Sequence, residues 1–244
     1  MSTPPLFLVD ALPAGSSTRL DGAEGHHAAA VRRLRPGEPL LLADGAGGLA
    51  ECRVVAVEPG GLRLAVERVR VLDPPSPRFV LVQALAKGDR SELAVELATE
   101  LGVDEVVPWS AARSVVRWEG ARGERSLARW RSVAREAAKQ SRRPRVPTVT
   151  EPRTTLVVAE RIATAAAAFV LHEAAAEPLA DVPLPAAGDA LVVVGPEGGV
   201  DEAEIAAFTA AGARAVRLGE PVLRTSTAGA AALAVLSVRT GRWS

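Results

Sequence analysis

Tyrosine is absent from this sequence, and phenylalanine and tryptophan together bring the aromatic share to only 3%. A core with so few large rings has to be filled by aliphatic side chains. Alanine supplies much of the 48% of hydrophobic residues, which favours closely packed helices. Cysteine is nearly absent as well. The single Cys52 excludes an internal disulfide and any cysteine-built zinc site, and it fits a reducing, cytoplasmic setting. Long apolar runs are also missing: a bilayer span needs roughly 20 residues, and the alanine-rich run from Ala163 to Leu171 stops well short. The first ten residues lack the charged start and apolar stretch of a secretory signal, so neither export nor a membrane is expected.

Net charge is missing too, with 29 Lys and Arg against 29 Asp and Glu. An even mixture would argue against a nucleic-acid partner, but the mixture is uneven. Between Arg113 and Arg153 there are twelve basic residues and four acidic ones, whereas Glu173 to Glu204 contains no Lys or Arg.

At 244 residues the chain exceeds the usual domain of roughly 100 to 150 residues, and two unequal domains are expected. In the first seventy residues the turn signals Pro36-Gly37, Asp44-Gly45, Gly47-Gly48 and Pro59-Gly60-Gly61 leave room only for strands. Leu40 to Ala43, Ala50 to Val57 and Leu62 to Val69 are the clearest of these. Asp73-Pro74-Pro75-Ser76-Pro77 then holds the chain extended. Residues 1–72 therefore read as a small β-domain and 78–244 as a second domain.

In the second domain apolar strands alternate with amphipathic helices, as in parallel sheets with helical crossovers. Strands are expected over Phe79 to Leu85, Val103 to Trp109, Ala166 to Leu171, Ala190 to Val194 and Ala213 to Leu218. Helices are expected over Asp89 to Leu101, with Leu93, Leu97 and Leu101 on one face, and over Glu124 to Ser141, Asp201 to Ala211 and Ser226 to Thr240. The fold class is α/β with a mostly parallel sheet.

Two segments carry the chemistry. Leu191 to Gly199 runs from a buried strand into Gly195-Pro196-Glu197-Gly198-Gly199, before a helix that Asp201 can cap. Val216 to Gly229 repeats the strand, loop and helix order. Such turns either bring backbone against a ligand or only satisfy positive φ. The spacing is neither a dinucleotide fingerprint nor a P-loop, so phosphate cradling is not indicated. In open α/β sheets ligands gather beyond the carboxyl ends of the strands, which puts loops 195–199 and 218–225 at one pocket, with Leu171-His172-Glu173 ending a third strand.

Gly195-Pro196-Glu197-Gly198-Gly199 followed by Leu218-Gly219-Glu220-Pro221-Val222-Leu223-Arg224-Thr225 resembles the SPOUT superfamily of knotted methyltransferases, in particular the 16S ribosomal RNA uracil-N3 methyltransferases. The resemblance extends to residues 27–37, 96–103 and 135–147. It implies a homodimer with a PUA-like N-terminal β-barrel and a C-terminal trefoil knot that binds S-adenosyl-L-methionine. The substrate it implies is 16S ribosomal RNA or the assembled small subunit, and no metal is implied. The methyl donor would be held by Leu171 and His172, by Gly195, Pro196, Glu197, Gly198 and Gly199, and by Leu218, Gly219, Val222, Leu223, Arg224 and Thr225. Two positions depart from the family pattern: Ser226 stands where many relatives carry Glu, so no acid is assigned a role there, and Arg32 stands where an apolar residue is expected.

Uracil N3 is protonated at neutral pH, so its methylation needs a base or a group that stabilises the anion. Arg224 is the candidate stabiliser, with fixing of the loop or of a partner as the competing role. His172 is a possible base. The basic helix with Gln140, and Arg135, Arg142, Arg143 and Arg145, reads as an RNA backbone contact or as a solvated face; Trp118 and Trp130 could stack on bases, with Trp130 equally readable as core. His26 and His27 with Arg33 form a smaller cluster in the β-domain, either RNA-facing or merely exposed. A methyltransferase of this fold acting elsewhere on RNA and a non-enzymatic RNA-binding assembly module are the alternatives.

Overall fold

The structure, a computed structural model describing residues 3–243, divides by its internal contacts into two units. One comprises Met1–Pro74 with Ala138–Val146, the other Pro75–Ala137 with Pro147–Ser244.

In the first unit β1 (Leu6–Leu8), β2 (Ser17–Leu20), β3 (Pro39–Ala43), β4 (Gly48–Glu58) and β5 (Gly61–Val71) form one sheet in the order β1-β3-β4-β5-β2. Only the β1–β3 pair is parallel. Pro59 and Gly60 close the β4–β5 hairpin, with Gly60 at φ +80° where a side chain would be strained. A short helix, α1 (Gly22–His26), runs into a π-helical turn, His27–Val31. Phe7, Leu20, Leu40, Leu42, Leu62 and Leu64 fill the core with Cys52. Burial there, with the charge of Glu67, pushes the Cys52 thiol up to about 11. Sequence patterning located β3 to β5, and it passed over β1, β2 and α1, which are too short to show a period.

The second unit is built on a seven-stranded sheet. Its elements are β6 (Arg78–Ala84), α2 (Arg90–Glu100), β7 (Glu105–Trp109), α3 (Gly120–Gln140), β8 (Thr148–Val149), α4 (Thr155–Thr164), β9 (Ala167–Leu171), β10 (Glu177–Pro178), β11 (Asp189–Val194), α5 (Glu202–Ala210), β12 (Arg214–Arg217) and α6 (Thr225–Arg239). Residues 138–140 of α3 group with the first unit. The strand order is β10-β12-β9-β11-β6-β7-β8 and every pairing is parallel. Alternation along the strands separates the two faces. Val80, Val82, Val107, Trp109, Leu191 and Val193 meet Val158 and Ile162 of α4 and Phe208 of α5, with the Trp109 and Phe208 rings edge to face at 5.2 Å. α6 packs against β6 and β11, and also against α2.

One expectation about packing is corrected and one open reading is settled. The leucine face of α2 is not its buried face: Leu93 is 41% exposed, and Ala94, Val95, Ala98 and Thr99 are buried instead. The partner of α2 is α6, which runs through alanine and glycine from Ala228 to Ala232. A Cβ added at Gly229 would come 2.9 Å from the Leu81 side chain, so α6 also lies close on β6. Trp130 is 2% exposed and meets Trp118 edge to face at 4.9 Å, so it belongs to the core and cannot stack on a base.

The amino ends of the strands carry a charged network. Arg161 donates to both oxygens of Glu105 at 2.9 and 3.1 Å and to Asp189 at 2.9 Å, and Arg78 reaches the same two carboxylates at 3.1 and 3.2 Å. Burial alone would lower the Arg161 pKa, but its bonds to Glu105 and Asp189 more than reverse this and raise it. Arg242 lies 3.7 Å above the Phe79 ring and bonds Asp104 at 2.7 Å. Because the Glu105 side chain is only 8% exposed, removing its main cation leaves a poorly compensated charge. Arg161→Met is expected to destabilise the protein by about 2–3 kcal/mol, with Arg78 limiting the loss. Urea unfolding measures it, and an unchanged midpoint would mean that the network contributes nothing.

Candidate functional site

Beyond the carboxyl ends of β9, β11 and β12 lies a cleft of about 360 Å3, a size that suits a small ligand. The strand order explains it. β9 lies between β11 and β12, so the loops leaving these three strands emerge side by side.

The loop after β11 folds back tightly. A Cβ on Gly195 would sit 2.7 Å from Val200 Cγ2 and 3.1 Å from the Val200 nitrogen, so only glycine fits there. Gly199 takes φ +75° and donates its N–H to the Pro196 carbonyl at 2.9 Å. Asp201 then caps α5, accepting from Ala203 N at 3.0 Å. Buried Glu204 secures the junction by accepting from Asp201 N at 3.2 Å, Ala112 N at 2.8 Å and the Thr155 hydroxyl at 2.8 Å. Glu197 accepts from Lys87 N and from Arg90, both at 3.3 Å.

After β9, the His172 N–H donates to the Val216 carbonyl at 2.9 Å, and Nδ1 accepts from Ala174 N at 3.2 Å. In a neutral ring that leaves the proton on Nε2, so His172 offers no lone pair from Nε2. Arg217 Nη1 donates to the carbonyls of Ala175, at 3.0 Å, and Ala176, fixing this loop.

After β12 the chain is open and apolar. Val222 is 76% exposed, and Leu223 and the Arg224 side chain are exposed beside it. The backbone of Arg224 is nonetheless fixed, because its carbonyl accepts from Thr227 N and Ala228 N, both at 2.9 Å, to start α6. Thr225 joins the loops: its hydroxyl donates to the Gly195 carbonyl at 2.7 Å and accepts from the Gln83 amide at 2.9 Å.

The structure brings to this cleft Leu171, His172, Gly195, Pro196, Glu197, Gly199, Leu218, Gly219, Val222, Leu223, Arg224 and Thr225. Gly198 does not line it. Its carbonyl faces Arg113 Nη1 at 3.3 Å. Glu173, which ends the third strand segment, lines it too, and Arg90 and Arg217 line the cleft without having been singled out in the sequence. Gln83 stands behind it, and its one signal was an uncharged polar residue in the apolar run 79–84.

The basic residues are distributed less freely than their number suggests. Arg129 pairs with Glu92 and Arg131 with Glu151, each at 2.9 Å, and Arg113 pairs with Asp201 at 3.1 Å. Arg135 is exposed on α3 in the second unit. In the first unit, Arg145 turns inward, its guanidinium bonded to the carbonyls of Ala46 and Leu72. It lies where a Cβ on Gly47 would be, so its role is to staple the fold, and it is removed from the RNA-facing set. His27 packs edge-on to Phe7 at 6.1 Å, Gln140 is exposed and Arg143 is half-buried.

Arg33 and Arg142 are both exposed and both left-handed, at φ 54° and 58°. Each closes a helical segment in the position glycine usually takes. Leu34 N bonds back to Ala28 O at 3.1 Å, and Arg143 N to Ala138 O at 2.8 Å. The two ends are tied by Lys139 and Glu24, 2.7 Å apart. Among the described residues no group of three or more His, Cys, Asp or Glu could hold a metal, and no helix is long and apolar enough to cross a membrane.

A family model described as an RNA methyltransferase domain matches residues 74–237, and one described as an RNA methyltransferase PUA domain matches 20–67. The chain is 52% identical over 243 residues to the ribosomal RNA small subunit methyltransferase E of Mycobacterium tuberculosis, covering 98% of this chain and 93% of that protein. It is 30% identical to the protein of the same name in Bacillus subtilis, covering 91% and 90%. A Neisseria gonorrhoeae ribosomal RNA small subunit methyltransferase E, solved bound to S-adenosyl methionine, superposes with a TM-score of 0.83 at 28% identity over 97% of this chain and 98% of that one.

A left-handed arginine costs about 1 kcal/mol that glycine would not. Arg142→Gly is therefore expected to leave the thermal midpoint no lower while reducing the salt needed to elute the protein from heparin. A fall in midpoint with unchanged elution would make Arg142 a purely structural residue.

Proposed function

The chain belongs to the ribosomal RNA small subunit methyltransferase E family, and from that premise we propose that it methylates N3 of a uridine in 16S ribosomal RNA, with S-adenosylmethionine as donor. The observation that carries this reading is the meeting of three loops at one cleft, joined by the 2.7 Å bond from Thr225 to Gly195. The donor fits the residues present. The Gly195 turn has no room for a side chain, which leaves backbone groups free to clasp an adenine, and Leu218, Val222 and Leu223 offer apolar surface for its faces. When bound, S-adenosylmethionine supplies an electrophilic methyl group on a sulfonium.

The other half of the chemistry is removal of the N3 proton, which spreads negative charge onto the flanking carbonyl oxygens of uracil. Arg224 is the residue for that charge. Its backbone is fixed at the start of α6, its side chain is exposed at the cleft, and a guanidinium stays charged throughout and can donate two parallel hydrogen bonds. His172 takes a supporting part as a fixed element of the cleft, since its Nδ1 is occupied by Ala174 N–H.

In the first unit, RNA contacts are assigned to the exposed arginines Arg33 and Arg142, with His27, Gln140 and Arg143; in the second unit, separately, to Arg135. Positive charges there displace counterions from the backbone. We assign the chain to the cytoplasm, where ribosomal RNA is found. The trefoil knot belongs to the same proposal, with α6 packed on β6 and β11 as the element that would be threaded. We propose a homodimer, with exposed Leu93 of α2 and exposed Val238 of α6, on two helices that pack on each other, as its contact residues.

Calorimetric titration with S-adenosylmethionine tests the donor, and absence of binding heat with and without RNA would remove this reading. Arg224→Ala is expected to lower kcat on small-subunit RNA by about 100- to 1,000-fold while donor binding stays nearly intact. Tritium transfer measures this, and unchanged turnover would discard the role given to Arg224. Leu93→Glu is expected to yield monomers in sedimentation, and an unaltered sedimentation coefficient would move the interface elsewhere.

A further inference from the structure

β6 is apolar along its length except for Arg78 at its start and Gln83 near its end, and Gln83 is completely buried. A glutamine in the middle of a parallel sheet has two donors and an acceptor to satisfy without water. Its Nε2 donates to the Thr225 hydroxyl at 2.9 Å and to the Ala84 carbonyl at 3.3 Å, while Oε1 has no hydrogen-bond partner. An apolar side chain of the same length would leave no such orphan, so stability alone does not account for this residue.

What Gln83 controls is the direction of one proton. A hydroxyl has a single hydrogen and turns freely unless something decides its orientation. By donating to Thr225 Oγ1, Gln83 occupies the acceptor side, and the remaining proton points at the Gly195 carbonyl 2.7 Å away. The backbone geometry supports this relay, because Gln83 is paired in register with Val194, the residue before Gly195. α6 is held against the same two strands, since a Cβ on Gly229 would lie 2.9 Å from Leu81 and 3.5 Å from Val194. The turn after β11 and the start of α6 therefore meet over this one buried amide.

We propose that Gln83 is the positioning residue of the donor cradle, acting through Thr225 to clamp the Gly195 turn onto the first turn of α6. This rests on the reading of the cleft as the S-adenosylmethionine site. Gln83 does not line the cleft, so its effect falls on how well the loops are held before the donor arrives, which is a contribution to affinity more than to turnover.

The test compares Gln83→Met, Thr225→Val, Thr225→Ser and the double variant Gln83→Met with Thr225→Val, in the full-length protein. Gln83→Met is expected to raise Kd and KM for S-adenosylmethionine about tenfold, the equivalent of one good hydrogen bond, with kcat at saturation little changed and a thermal midpoint no lower. Thr225→Val is expected to raise Kd and KM at least as much, and Thr225→Ser to keep wild-type affinity. The double variant is expected to be no weaker than Thr225→Val alone, because Gln83 acts only through that hydroxyl. Wild-type affinity in Gln83→Met, or multiplied losses in the double variant, would overturn the proposal. Should the methionine variant not fold, Gln83→Asn, which draws the amide back by one methylene, carries the same comparison.

Hydrogen exchange separates this proposal from the donor reading. The clamp predicts faster exchange at the amides of Gly195, Glu197, Gly198 and Gly199 in Gln83→Met without any ligand, and unchanged exchange would refute it. Absence of S-adenosylmethionine binding by the wild-type protein would instead refute the donor reading.

Discussion

The bond from the Thr225 hydroxyl to the Gly195 carbonyl joins two loops that are thirty residues apart in the chain, and the cleft exists because they meet. Sheet topology brings them close, since β9 lies between β11 and β12 and all their pairings are parallel. Parallel strands release their loops at a common edge, where helix starts and turn carbonyls crowd together. At such an edge one hydroxyl with two fixed partners can settle a geometry that neither loop would keep alone. Glu204 does the same on the other side of the Gly195 turn, binding two backbone amides and the Thr155 hydroxyl from a buried position. The apolar residues that follow β12 can then stay exposed, because the backbone carrying them is held from beneath.

The two ends of the parallel sheet have different tasks. At the amino ends, guanidinium and carboxylate groups from β6, β7, β11 and α4 neutralise one another in a closed network. At the carboxyl ends, Arg224 is exposed and Arg90 has only a partly exposed pairing with Glu197, which in water is worth little. Stability is concentrated away from the cleft, and charge that can respond to a ligand is kept beside it. The strained arginines of the first unit follow a similar logic, since glycine would suit the backbone at Arg33 and Arg142 better but would carry no charge.

Much of this was legible in the residues. The glycine turn, the strand before it and the cap at Asp201 were readable because glycine and N-cap residues act locally. The strands β3 to β7 and the helices α2, α3, α5 and α6 showed through their apolar periods. α4 was missed: its buried residues, Val158 and Ile162, are a single pair one turn apart, too few to mark a period. The leucines of α2 misled because the face a helix buries depends on its packing partner, here α6 more than a hundred residues away, and the residues buried are Ala94, Val95 and Ala98. Arg145 and Gln83 were opaque for the same reason. Whether an arginine faces solvent or carbonyls, and whether a glutamine in a strand is a defect or a clamp, is decided by contacts distant in sequence.

The segment 138–146 belongs with the β-rich unit although the chain between it and residue 74 builds the other one. Its Lys139 reaches Glu24, and its Arg145 holds the carbonyls of Ala46 and Leu72. The module that looks separable at the proline-rich linker is therefore completed by a piece of chain supplied much later in synthesis. A chimera made by exchanging the amino-terminal seventy residues between relatives would pair one parent's β-sheet with the other parent's staples, so recombination here needs two crossover points.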